Sequence, residues 1–310
     1  MLDELVERFR NRDRLALARL LTLVARGQQL DSIRRALGAI GAATTTAGVP
    51  LVVALTGSAG VGKSTLVGKL AEYVRGGGKT VAVLACDPQS PLTGGALLGD
   101  RVRMPNRPDD PGLFIRSLAA ASGGQAVAEH VDLMIRLLSQ FGFDVILLET
   151  VGAGQGDTAV RELADVLVLL VQPESGDELQ WEKAGVLEVA DVVVVHKADL
   201  PGAERMEAQV RELLSLPGCR DVAVLRVSSV RQQGFSELWS AIAASPRRRA
   251  CLASDAQLLL RRAQQMRAER FQDRTQRVGG VVERWQRNEL DDAQAADELL
   301  QLLGRSGSEG

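Results

Sequence analysis

"LVVALTGSAGVGKSTLVGKLAEYV" runs from Leu51 to Val74. Within it, Gly57-Ser58-Ala59-Gly60-Val61-Gly62-Lys63-Ser64 satisfies G-x-x-x-x-G-K-[ST]. An apolar run that reads as a buried strand precedes the motif, and a helix-like stretch follows it, which is the context the motif requires. The reason is geometric. Glycines let successive backbone N–H groups converge on phosphate oxygens, and the start of the helix adds its positive end. Gly57 through Thr65 are therefore candidate nucleotide-binding residues. Lys63 is expected to meet the β- and γ-phosphates and to be needed for turnover, Ser64 to take one Mg²⁺ position, and Thr65 to reach the α-phosphate. The motif alone names neither the base nor the task.

Outward from this stretch, short apolar runs alternate with amphipathic segments. The runs are "LVVALT", "TVAVLAC", "DVILLET", "DVLVLLV", "DVVVVHK" and "VAVLRVS". Nearly continuous Val/Leu runs separated by helix-length segments predict strands covered on both faces by crossover helices. The expected fold class is α/β, a mainly parallel sheet flanked by helices, with functional loops at the carboxyl ends of the strands. "RLLSQFGFD" reads as the helix before "DVILLET". Residues 1–47 read as an N-terminal helical extension and 48–244 as the nucleotide-binding domain. Residues 245–303 read as an Arg-rich helical arm, either for dimerisation or partner docking or as a cap on the same domain. A disordered tail is expected over 304–310.

Bulk properties narrow the class. A net charge of −2 over 310 residues provides no general attraction to nucleic acid. Cys86, Cys219 and Cys251 lie far apart without a CxxC, which argues against a disulfide framework or a zinc site. No apolar run approaches a membrane helix, and the charged, amphipathic beginning is unlike a secretory signal, so a cytoplasmic protein is expected. Lysine is scarce: Lys63, Lys69, Lys79, Lys183 and Lys197 are the only five among 37 basic residues.

"VVVVHKAD" bears on the base. P-loop GTPases end the corresponding strand in Asn/Thr-Lys-x-Asp, which here places Lys197 and Asp199, with His196 in the first position. The Asp199 carboxylate can accept from guanine N1–H and the exocyclic amine. Adenine offers an acceptor at N1 and nothing at C2. Charge-assisted bonds of about 1.5–3 kcal/mol each make this a large discrimination. Lys197 would lay its stem along the base. His196 departs from the pattern, but an imidazole nitrogen can tie this loop to the P-loop as the usual residue does. Ser228, Ser229 and Val230 occupy the turn after "VAVLRV", whose backbone N–H would reach guanine O6.

Five further stretches carry a family resemblance: "CDPQSPLTGGALLGDRVRM", "FIRSLAA", "FDVILLETVGAGQGDTAV", "SGDELQ" and "LDDAQAADELL". In this order, and with "NRDRLALARLLTLV" before them, they resemble the MeaB/ArgK family, whose human member is called MMAA. The resemblance runs along nearly the whole chain. It implies a P-loop GTPase that binds GTP, GDP and Mg²⁺, dimerises, and acts as a chaperone of an adenosylcobalamin-dependent acyl-CoA mutase. Carried onto this sequence, it places Asp87 at Mg²⁺ directly or through water, Glu149 in the Walker B position, and Asp100 as a second acid for metal or water. Gln155 in the "TVGAGQGD" loop becomes a candidate water positioner beside Asp157, and Asp177 to Lys183 a partner-facing switch.

Two stretches depart from the family. "LAAASGGQAVAEH" replaces an Arg-Gly-containing stretch, and "QWEKAG" replaces a more basic one. A nickel-insertion GTPase is the first alternative, although the chain has only His130 and His196 and no Cys/His cluster. A transport-linked ATPase or kinase is the second, against which the Lys-Ala-Asp loop argues.

Overall fold

A computed structural model describes residues 2–41, 49–88, 109–120, 130–150, 157–173, 184–216, 222–247, 275–287 and 289–304. The chain divides into two compact units, Met1–Arg249 and Ala250–Gly310.

The first unit opens with three helices, α1 (Leu2–Arg10), α2 (Arg14–Ala25) and α3 (Leu30–Gly41). Strand β1 (Leu51–Gly57) and helix α4 (Lys63–Gly76) follow, then β2 (Val81–Pro88), β3 (Leu113–Ala120), α5 (Val131–Phe141) and β4 (Val145–Glu149). After these come α6 (Asp157–Leu163), β5 (Val166–Val171), α7 (Ala184–Val189), β6 (Val192–His196), α8 (Ala203–Leu214), β7 (Ala223–Val227) and α9 (Phe235–Ala244).

All seven strands join one sheet in the order β3-β2-β4-β1-β5-β6-β7, and every pairing is parallel. Six strands correspond to the apolar runs. The seventh, β3, lies at the edge, where Arg116 and Ser117 interrupt what would otherwise be an apolar run. Its partly buried Arg116 donates to Thr22 Oγ1 of α2 at 3.0 Å, so a tertiary contact accommodates the polar interruption.

β1 shows how the sheet is covered. Val52 and Ala54 face a core shared with Leu17, Leu20 and Leu21 of α2, Leu37 of α3 and Met134 and Leu137 of α5. Leu51, Val53 and Leu55 face Leu66, Leu70 and Val74 of α4 and Leu238 and Ile242 of α9. The alternation is the pleat itself, and it explains why a strand covered on both sides must be apolar throughout.

Register is fixed at the opposite end of the sheet by a repeated device. Asp144, Asp165 and Asp191 each stand just before a strand. Their carboxylates accept the backbone N–H of Thr80 (2.7 Å), Val52 (2.9 Å) and Leu167 (2.9 Å), each on or next to a neighbouring strand. Each of the three also donates its own N–H to the carbonyl of that same residue. A one-residue slip would strand all three carboxylates.

In the second unit, α10 (Thr275–Gln286) and α11 (Asp292–Gly304) form a hairpin. Arg284 pairs with Glu298 at 2.9 Å, and the Trp285 indole donates to Asp292 at 2.8 Å.

Candidate nucleotide-binding site

The P-loop joins the buried end of β1 to α4. Gly57 lies so close to β5 that a Cβ there would stand 2.5 Å from the Leu170 carbonyl oxygen. Gly62 caps α4 in the left-handed region at φ 93°, with no side-chain cap on the helix. The positive end of α4 therefore faces the P-loop, where an anion would sit. Lys63 is buried and donates to the carbonyls of Gly57 (2.9 Å) and Ser58 (3.2 Å), so its ammonium lies back across the loop.

Glu149 comes to the same place from β4. The parallel register sets it beside Leu55 of β1 and Ala85 of β2. Its carboxylate accepts from Ser64 Oγ at 2.6 Å, and both residues are buried. Thr150, one residue on, bonds the Thr56 hydroxyl at 3.1 Å and donates its N–H to Leu55 O. Those two threonines hold the end of β4 against β1, a pairing that no local sequence signal shows, because nothing local links positions 56 and 150.

The base-reading loop begins at the end of β6. His196 is 3% exposed and bonded at both ring nitrogens: Nδ1 to the Val61 carbonyl at 2.7 Å, and Nε2 to Ser229 Oγ at 2.8 Å. A carbonyl can only accept, so Nδ1 carries the proton; in the neutral ring Nε2 then accepts from Ser229. The ring packs on the P-loop itself, since a Cβ on Gly62 would meet its Cε1 at 2.7 Å and its Nδ1 at 2.8 Å. Burial pushes its pKa below the ordinary histidine value; the Val61 bond opposes this, Lys197 adds to it, and Asp199 opposes it.

Lys197 takes a positive φ of 55°, a conformation held by Ala198 N–H donating to Val227 O and Leu200 N–H donating to Lys197 O. Asp199 accepts from Ser228 Oγ, which in turn accepts the Arg231 N–H at 3.1 Å. The Ser228 bond is the main cause holding the Asp199 carboxyl below its usual value. Reciprocal backbone bonds between Ser228 and Gln233 close the intervening turn, and Val230 stands exposed at its tip.

The structure therefore brings Gly57 to Thr65, Glu149, Lys197, Asp199 and Ser228 to Val230 to one end of the sheet, at the carboxyl ends of β1, β4, β6 and β7. Asp87 is the penultimate residue of β2, beside Ala119 of β3 in register; its carboxylate lies outside the described side chains. Asp157 opens α6, with its side chain likewise outside them. Asp100, Gln155, Asp177 and Lys183 lie outside the described residues.

This parallel sheet, with a P-loop between β1 and α4 and a Lys-x-Asp loop after β6, is that of a P-loop GTPase. The family model described as methylmalonyl Co-A mutase-associated GTPase MeaB matches residues 17–283, and the chain belongs to that family. A protein of Pyrococcus abyssi is 41% identical over 249 residues, covering 78% of this chain and 75% of its own. One of Mycobacterium tuberculosis is 38% identical over 247 residues, covering 77% and 73%, and the names of both describe them as GTPases. The Mus musculus protein named methylmalonic aciduria type A homolog, mitochondrial, is 37% identical over 201 residues, covering 62% of this chain and 48% of its own. Among solved structures, that of an LAO/AO transport system kinase superposes with a TM-score of 0.69 over 98% of both chains at 24% identity, which shows the shared fold.

Proposed function

We propose that this chain is a GTP-hydrolysing switch that assists the assembly, protection or reactivation of an adenosylcobalamin-dependent acyl-CoA mutase. The family match and the relatives' names support the partner class. The observation that carries the guanine assignment is the Asp199 carboxylate, kept ionised and oriented by Ser228 on a loop pinned to the P-loop through His196.

In this reading, the N–H groups of Gly60 to Ser64 bind the β-phosphate and Thr65 reaches the α-phosphate. Lys63, whose ammonium already lies across the loop on the Gly57 and Ser58 carbonyls, reaches the phosphate oxygens, where its charge meets opposite charge rather than carbonyl dipoles alone. The Ser64 hydroxyl and Glu149 carboxylate form a compact, buried set of oxygen donors, the chemistry that suits Mg²⁺. They would hold that ion with Asp87 and Asp100. When bound, Mg²⁺ neutralises charge developing on the transferred phosphoryl group. Gln155 orients the attacking water, and Asp157 with Asp177 to Lys183 completes the site on partner binding. A homodimer in the cytoplasm is part of the proposal. Among the described residues no helix is long and apolar enough to cross a membrane.

The test is GTP turnover with and without a cognate cobalamin-dependent mutase. A low rate alone and a marked rise with the mutase support the proposal. If no mutase of the source organism binds or changes turnover, the chaperone reading fails.

A further inference from the structure

The position that P-loop GTPases fill with Asn or Thr is here a histidine bonded at both ends. We infer that His196 is a positioning residue that clamps the P-loop to the turn after β7 only as the neutral imidazole, so that guanine-nucleotide affinity in this chain depends on its proton. The inference rests on the reading that these loops hold a guanine nucleotide.

The geometry leaves the ring one tautomer. Val61 O fixes the proton on Nδ1, and Ser229 then faces a lone pair on Nε2. Protonation turns Nε2 into a donor. The Ser229 hydroxyl, on a residue only 7% exposed, must then turn to accept from Nε2–H and find another acceptor for its own hydrogen. It also places a charge in a site closed over by Gly62, where an uncompensated ion is costly.

The charged groups around the ring do not offset this. Lys197 on its own loop repels the imidazolium. Asp199 attracts it but is already engaged by Ser228, with Arg231 acting on it from the turn. Lys63, at the start of α4, is bonded to P-loop carbonyls and supplies no counter-charge. Protonation leaves the Nδ1–H bond to Val61 O in place, so the clamp opens only as the charged ring withdraws from its buried site, and that movement frees Val61 O, and with it the P-loop, from the base-reading turn. An amide at this position makes the same two kinds of bond and cannot titrate.

The experiment measures GDP affinity between about pH 5 and pH 8 for the native chain, His196→Asn and His196→Ala. The GDP phosphate titrates in the same window for all three, so the ratio of native to His196→Asn affinity is the readout. That ratio is expected to stay near one at the alkaline end and to fall at least about fivefold at the acid end. His196→Ala is expected to bind weakly throughout. A second readout does not depend on affinity. The chain has only two histidines, so His130→Asn leaves a single imidazole for NMR. Its spectrum is expected to show the Nδ1–H tautomer, the less common one in water. A flat affinity ratio, or an Nε2–H tautomer, overturns the inference. Failure of the native chain to bind GDP even at the alkaline end overturns instead the reading on which it rests.

Discussion

Ser64, at the start of α4, and Glu149, at the end of β4, share a 2.6 Å hydrogen bond although 85 residues separate them in the chain. The parallel register of β4 beside β1 creates this pair, and both members are buried. Glu149→Gln keeps the shape and a bond to Ser64 but removes the charge. Single-turnover GTP hydrolysis is expected to fall by at least about tenfold, with a higher Mg²⁺ requirement, while GDP affinity stays within a few-fold. Unchanged hydrolysis would remove Glu149 from the catalytic set.

Asp199→Asn tests the base-reading carboxylate. Losing one charge-assisted bond of about 1.5–3 kcal/mol should weaken GDP by roughly 10- to 100-fold. The amide now donates where the carboxylate accepted, so xanthine nucleotides should bind better to the variant than guanine ones. Ser228→Ala should weaken GDP less, because it removes only the bond that orients Asp199. Fluorescent-nucleotide titration measures all three.

Gly62 and His196 exclude a side chain between them. Gly62→Ala forces a Cβ into the imidazole and into a left-handed backbone, costing about 1–3 kcal/mol. In a His196→Ala background the steric part disappears, so the substitution should cost less there. Urea unfolding of the four proteins gives the coupling; additivity within error would mean the ring does not press on the loop.

How much of this was legible in the sequence follows from how local each signal is. The P-loop and its flanking strand and helix lie within 24 residues, so motif spacing and hydrophobic pattern suffice. The strand over Leu113–Ala120 is not legible as one, because Arg116 breaks the apolar run and its partner Thr22 lies 94 residues away. The tie from His196 to the P-loop could be anticipated from its place in the Lys-x-Asp loop. Its second bond, to Ser229, depends on β6 and β7 ending side by side, which no short window shows. The N-terminal helices carry clear amphipathic patterns. That they share a core with α5 under the sheet is a consequence of packing alone.

Asp144 links stability to acid. Its carboxyl is held below the usual value, mainly by the Thr80 backbone N–H, with burial opposing. A depressed folded-state pKa contributes stability above the unfolded value of 3.8 that is lost as pH falls through the folded one. Urea midpoints should therefore drop on acidification more steeply for the native chain than for Asp144→Asn. Parallel acid profiles for the two proteins would show that the bonds to Thr80 contribute nothing.

The central claim is that the loop after β6 reads guanine for the P-loop beside it. Competition of unlabelled GTP and ATP against a bound fluorescent GDP, with Mg²⁺ at neutral pH, tests it most directly. The account predicts displacement by GTP at concentrations at least about 100-fold below those needed for ATP, given two charge-assisted bonds that adenine cannot make. Equal displacement by the two nucleotides would contradict it.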